Sequence, residues 1–148
     1  MDSEQSSRLF DSESKKLQDA LESIQIKSDK TIPGIIDVYY QAIKVDSLAK
    51  VLKENFQTKP EHQALLGRID KIQKYISEEF NASFHPKILT QLTDSIQKNT
   101  ENLKLLAKES GQKSKETIEK EASLYKELRE IMSTKEFVEQ YENGIKND

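Results

Sequence analysis

The chain has no cysteine, and its 148 residues include only four glycines and three prolines. The lack of thiols excludes disulfides and thiol chemistry. With so few residues that interrupt helices, long helices are permitted. No stretch alternates long enough to predict a sheet. No run of the sequence approaches the roughly 18 apolar residues that a membrane span needs.

The composition is poor in apolar residues, at 34%, and rich in charged ones, at 33%. A chain of this kind has enough apolar surface to bury one stripe per helix, but too little for a thick core. The net charge of −3 comes from well-mixed acidic and basic residues, without the basic block that nucleic-acid binding requires. The first residues lack the apolar run of a secretory signal. We therefore expect a soluble cytoplasmic protein, with a nuclear location as the alternative.

The clearest pattern in the sequence runs from Ile35 to Phe56. Its apolar residues are spaced alternately three and four apart, which is the 3.5-residue period of a helix that packs along another helix. A second stripe that includes Tyr39 widens this face, and a widened face favours a bundle of three or more helices. The seam consists of Ile35, Val38, Ala42, Val45, Ala49, Leu52 and Phe56.

The polar stretch 1–14 is predicted to be a mobile leader, because it is rich in Ser, Asp and Glu. Residues 15–148 are predicted to form a single elongated domain. Helices are expected over about 12–26, 33–57 and 59–80, followed by a long C-terminal helix that Pro86 opens. The predicted breaks lie near 28–34, 58–60, 81–86 and 110–114.

The C-terminal part carries two further seams, separated by a stretch without apolar residues. That stretch is either a solvated part of the helix or a bend at Gly111. The polar member of the first seam, Asn99, would cost stability if buried but would fix helix register. The alternative is that Asn99 lies at a frayed edge of the seam and faces water. A helix of this length needs partner helices to cover its apolar residues. The seams are Leu89, Leu92, Ile96, Asn99, Leu103 and Leu106, then Leu124, Leu128, Ile131 and Val138.

Catalytic and metal chemistry find little support in the sequence. The two histidines, His62 and His85, are interpreted as exposed or edge residues, and they are too few for a zinc site without cysteines. The glycines stand alone, so no loop is suited to binding phosphates. We expect no enzyme activity, no cofactor, no metal, no small-molecule substrate and no nucleic-acid partner.

Two stretches resemble parts of a known family. Residues 60–69, Pro-Glu-His-Gln-Ala-Leu-Leu-Gly-Arg-Ile, resemble the start of a helix in the small p-twenty-four subunit of the dynactin shoulder. Residues 124–141, with Lys135-Glu136-Phe137-Val138 near their end, resemble the C-terminal helix of that subunit. The resemblance implies an all-helical scaffold subunit without catalytic residues, which assembles with dynamitin and the large side-arm subunit.

The sequence thus predicts an all-α fold, an elongated helical hairpin or bundle with a long coiled-coil C-terminal helix. The predicted function is that of a non-catalytic structural subunit in a hetero-oligomeric coiled-coil complex. The resemblance suggests a cytoskeletal complex that supports dynein-driven transport, nuclear movement or spindle positioning. The alternatives are a subunit of a kinetochore, tethering or organelle-positioning complex, and a self-contained helical bundle that acts as a regulatory binding protein.

Overall fold

The computed structural model describes residues 3–23, 32–57, 60–108 and 114–147. These ranges contain helices and no strand, so the predicted all-α fold is confirmed for them. The coiled-coil character stays a prediction. The elements are α1 (Ser3–Ser23), α2 (Ile32–Phe56), a 3₁₀ turn (Pro60–His62), α3 (Gln63–Tyr75), a π-helix (Ile76–Phe84), α4 (His85–Ala107) and α5 (Lys115–Asn147).

The chain divides into two compact units, Met1–Pro86 and Lys87–Asp148. The sequence predicts one domain over 15–148, and the structure differs from this prediction. A regular apolar seam does not reveal where one unit ends and the next begins, because helices with the same apolar spacing build both units.

The predicted mobile leader is instead part of α1, which begins at Ser3. Phe10 is only 1% exposed and Leu17 is completely buried, so two apolar residues seven positions apart fix one face of this helix. Ser6 is buried on the same side. The prediction was wrong because it weighed the polar composition of residues 1–14 above the position of Phe10.

The second helix matches its prediction to within one residue at each end. Six of the seven seam residues are buried, and Phe56 at the end of the helix is half-buried. Tyr39 is also completely buried and widens the apolar face as expected. Within the first unit, α2 packs against α1, α3 and the π-helix. The seam is thus largely covered by helices of the same chain.

The predicted break at 81–86 is absent, because helical residues run without interruption from α3 through the π-helix into α4. At the end of the π-helix, the main-chain N–H of His85 donates to the oxygen of Phe80, five residues back. Pro86 has no N–H, and its ring disfavours the tight i−4 contact of a regular α-helix. The wider π turn just before Pro86 lets the helix continue where the sequence predicts a loop.

The π-helix also keeps three large side chains on one buried face. Ile76, Phe80 and Phe84 follow one another at every fourth position, and all are buried. In a regular α-helix of 3.6 residues per turn, side chains four apart drift steadily around the axis. The wider turns oppose that drift, so an unbroken repeat of four stays in the core.

An aromatic cluster joins α2 to the π-helix within the first unit. The ring centroids of Tyr39 and Phe80 are 4.9 Å apart in an edge-to-face arrangement, and those of Phe80 and Phe84 are 5.2 Å apart. The Tyr39 hydroxyl and His85 Nδ1 form a buried hydrogen bond of 2.6 Å. The interpretation of His85 as an exposed or edge residue was therefore wrong.

The C-terminal helix extends further than the sequence suggests. Asn143-Gly144 is a good helix stop, yet both residues lie inside α5. Ser114 precedes this helix, and its hydroxyl accepts the N–H of Thr117, which caps the first turn. The other predicted breaks fall mainly on residues 24–31, 58–59 and 109–113, which lie outside the described ranges.

We expect Tyr39→Phe to lower the free energy of unfolding by about 1–3 kcal/mol, because it removes one partner of a buried hydrogen bond. Chemical denaturation of the full chain measures this loss. The neighbouring Tyr40 is 57% exposed, so Tyr40→Phe is the matched control, with an expected change under about 0.5 kcal/mol. Equal effects of the two substitutions would contradict the role given to the Tyr39–His85 bond.

Candidate functional site

One face of α5 carries large apolar side chains that remain open to solvent. Ile118, Tyr125 and Met132 follow one another at intervals of seven residues, and each is more than half exposed. The residues between them on the same face are exposed as well, and the spacing alternates between four and three. We call this face the α5 stripe: Ile118, Ala122, Tyr125, Arg129, Met132 and Glu136.

The α5 stripe has the alternating spacing of three and four that is typical of coiled-coil seams. A repeat of seven residues keeps side chains in line along a pair of helices. Single exposed apolar residues are ordinary on protein surfaces, but a contiguous row is typical of an interaction site. A helix laid along this face would bury the three large side chains together.

The seam predicted for the C-terminal helix lies on the neighbouring face of α5. Ile131 and Val138 are completely buried, while Leu124 and Leu128 are half-buried. Two seven-residue repeats therefore interleave along the helix, one inward and one outward. The seam predicted from the sequence includes only the inward one. The signal that would have found the outward repeat is the spacing of Ile118, Tyr125 and Met132.

The seam predicted along α4 is displaced by one residue at several positions. Leu92 and Asn99 are buried, as expected for seam positions, but Ile88 and Ser95 are buried as well. The remaining predicted residues are half-buried: Leu89, Ile96, Leu103 and Leu106. The buried residues keep the alternating spacing of four and three, and the prediction missed Ile88 and Ser95 because it followed the neighbouring apolar residues Leu89 and Ile96.

Within the second unit, residues of α4 and α5 together line two grooves. Ile96 lines a groove together with Met132 and Glu136, whereas Leu105 and Leu124 line another groove towards the opposite ends of the two helices. The second groove has a volume of about 410 Å³. Leu105 is 64% exposed at its edge. Both grooves are wide open, unlike the enclosed pockets of small-molecule sites.

Buried polar groups accompany the apolar core of the second unit. The side-chain nitrogen of Asn99 is buried and has no hydrogen-bond partner among the described residues. Thr134 on α5 is also buried, and its hydroxyl donates to the main-chain oxygen of Glu130. The Asn99 side chain therefore costs stability at a position where the sequence predicts a register-setting residue.

A buried carboxylate joins α1 to α2 in the first unit. Gln41 donates to a carboxylate oxygen of Glu13 at 2.8 Å and to its main-chain oxygen at 2.9 Å. Lys16 and Lys44 approach the same carboxylate at 3.2 and 3.4 Å. The hydrogen bond from Gln41 and then the two lysines lower the pKa of Glu13 from 4.5 to about 2, against the opposing effect of burial.

Both carboxylate oxygens of Glu13 already have partners within the chain. We therefore interpret Glu13 as a structural link between two helices. The second histidine gives no stronger indication of chemistry, since His62 is half-buried against the ring of Phe56 at 4.6 Å. Among the described residues, no group of three or more potential ligand side chains is placed to hold a metal ion.

Comparison with known proteins finds no matching family model, no significantly similar curated protein and no significantly similar solved structure. None of the described helices is long and apolar enough to cross a membrane. The described residues form an all-α fold.

We expect Asn99→Leu to raise the free energy of unfolding by about 1–3 kcal/mol, since it removes a buried polar group without a partner. The half-buried Asn102 on the same helix offers a control, and Asn102→Leu should change stability less. Thermal and chemical unfolding measure both variants. An Asn99→Leu chain no more stable than the parent would argue against a buried seam position.

The contribution of Glu13 to stability should depend on pH. Because the pKa of Glu13 is lowered on folding, its contribution to stability is complete above its ordinary value of 4.5 and is lost as the pH falls towards about 2. The stability difference between the parent and Glu13→Gln should therefore be largest near neutral pH and shrink across this acid window.

The control for this pH series is Glu4→Gln, since Glu4 forms an exposed pair with Arg8 on the same helix. It should show little difference from the parent at any pH. Denaturant titrations from neutral pH down to the acid end of the window supply the comparison. A Glu13→Gln difference that stays constant with pH would show that folding does not lower the pKa of Glu13.

Proposed function

We propose that the protein is a non-catalytic structural subunit of a coiled-coil assembly and that it binds partner helices through the α5 stripe. The single observation that carries this proposal is the exposed, seven-residue repeat of Ile118, Tyr125 and Met132. The same helix buries a separate repeat on its inner side, so the stripe is not needed for the core of the chain. Its surface is best explained as an interface.

The charges in the stripe restrict the kind of partner that fits. Arg129 and Glu136 occupy seam positions and are exposed. A partner helix must place an acidic or aromatic residue against Arg129 and must leave the carboxylate of Glu136, at the end of the stripe, in contact with water. Charged groups of this kind add little affinity, but they select the partner and its direction.

The more specific proposal follows from the resemblance to the small shoulder subunit of dynactin. Of the two resembling stretches, residues 124–141 lie within α5 and include four of the six residues of the stripe. In that case the partners would be dynamitin and the side-arm subunit, in the cytoplasm and associated with the cytoskeleton, in support of dynein-driven transport, nuclear movement or spindle positioning. A kinetochore, tethering or organelle-positioning complex is the alternative of the same class.

A different class of function is favoured by another observation. The α2 seam, which the sequence predicts as a partner surface, is buried almost entirely within the chain. A bundle that covers its own seam fits a self-contained regulatory binding protein. This second candidate predicts that substitutions in the α5 stripe leave its binding partner in place.

Affinity purification of the tagged full chain from its native host separates these functions. We expect a stoichiometric set of coiled-coil proteins with the parent chain and its loss with Tyr125→Glu. The matched control is Val51→Glu, because Val51 is similarly exposed at 53% but lies on α2. Circular dichroism of each variant checks that the helices are retained.

The possible outcomes lead to different conclusions. Recovery of dynamitin, the side-arm subunit and an actin-related filament would support the dynactin-like assignment. A different stoichiometric set that still depends on Tyr125 would keep the structural class and reject the family. Partners that bind the parent and Tyr125→Glu equally would overturn the role of the α5 stripe.

A further inference from the structure

We propose that the α5 stripe pairs with the α5 stripe of a second copy of this chain, with the two helices antiparallel. This inference rests on the proposed function, because it names a partner for the same surface. It is carried by the order of residues along the stripe, which is complementary to itself when the direction of one copy is reversed.

The antiparallel arrangement brings unlike residues together in every layer of the seam. When Tyr125 faces Arg129 of the second copy, Ala122 faces Met132 and Ile118 faces Glu136. A small residue then meets a long flexible one, and a guanidinium meets an aromatic ring in each of two symmetric layers. Arginine against tyrosine is a favourable cation–π pair, and alanine leaves room for methionine.

The parallel arrangement is disfavoured by the same residues. It would place Arg129 against Arg129 and Glu136 against Glu136 inside the seam. Like charges in adjacent seam positions repel and lose solvation together. The stripe therefore selects the antiparallel direction, as polar seam residues do in other coiled coils.

The positions that flank the seam add to this selection. In the antiparallel register, Glu121 of each copy comes opposite Lys135 of the other, which gives two contacts between opposite charges. Lys135 already approaches Glu139 of its own helix at 3.5 Å, so its side chain lies at the edge of the stripe. One contact is unfavourable, since Lys126 comes close to Lys126 of the second copy. These flanking charges influence orientation and partner choice.

The absence of cysteine from the sequence allows a direct test of register. We would prepare the full chain with Ala122→Cys and, separately, with Met132→Cys, and equilibrate the variants in a glutathione redox buffer. A disulfide requires Cα atoms within about 4.4–6.8 Å of each other. The mixture of the two variants should form a mixed disulfide dimer, and each variant alone should form much less. Val51→Cys, on an exposed position of α2, is the control for random collision.

Sedimentation equilibrium tests the association without cross-links. The parent should show a mass that rises with concentration from 17.1 kDa towards twice that value. Tyr125→Lys should weaken association by roughly tenfold or more, because it places an ammonium group against Arg129 of the second copy in the central layers of the seam. Val51→Lys should associate like the parent.

Each result either supports the inference or overturns it. Efficient disulfide formation by Ala122→Cys alone would indicate parallel helices and overturn the antiparallel pairing. A chain that stays monomeric at every concentration would overturn pairing with a second copy altogether. In that case, partner proteins lost from Tyr125→Glu but kept by Val51→Glu would leave the proposed function standing. A dimer that forms while no other protein is recovered would support pairing with a second copy and contradict binding to other coiled-coil proteins.

Discussion

Burial of the apolar face of α2 is the interaction on which the rest of the first unit depends. The face is wide because Tyr39 is added to the seam, and it contacts α1, α3 and the π-helix. A narrow seam would need only one partner helix, whereas this wider face contacts three elements. The Glu13–Gln41 link and the aromatic cluster at Phe80 hold two of those elements at fixed positions along α2.

Much of the helical architecture is readable from the sequence, and the reason is periodicity. The α2 seam predicts both the limits of the helix and its buried residues, because apolar spacing decides which side of a helix leaves water. The prediction is less successful at Pro86 and Gly144. Rules for proline and glycine describe local preferences. A helix continues through such residues when burial of the flanking side chains gains more free energy than the local preference costs.

The candidate site was harder to predict than the fold. Leu124, Ile131 and Val138 attract attention because they are aliphatic and regularly spaced, and they are the residues that the chain covers itself. Ile118, Tyr125 and Met132 show an equally regular spacing, but nothing in one sequence says which of two interleaved repeats remains exposed. That distinction depends on which face of α5 the rest of the chain covers, and it requires coordinates. His85 was missed for a related reason, since its burial follows from a helix that the sequence analysis interrupted.

The π-helix has a consequence for how this chain tolerates changes in length. It holds about one residue more per turn than the α-helix on either side, so it accommodates an extra residue within a continuous helix. Removing a single residue between Phe80 and Phe84 would let the hydrogen bonds return to α spacing. The side chains that follow would then keep nearly the same direction, because the wider turns had absorbed the extra residue. A residue removed from the regular α-helix on either side would instead turn every later side chain by about 100° about the helix axis. The π-helix is therefore the segment of this helix that best tolerates a change in length.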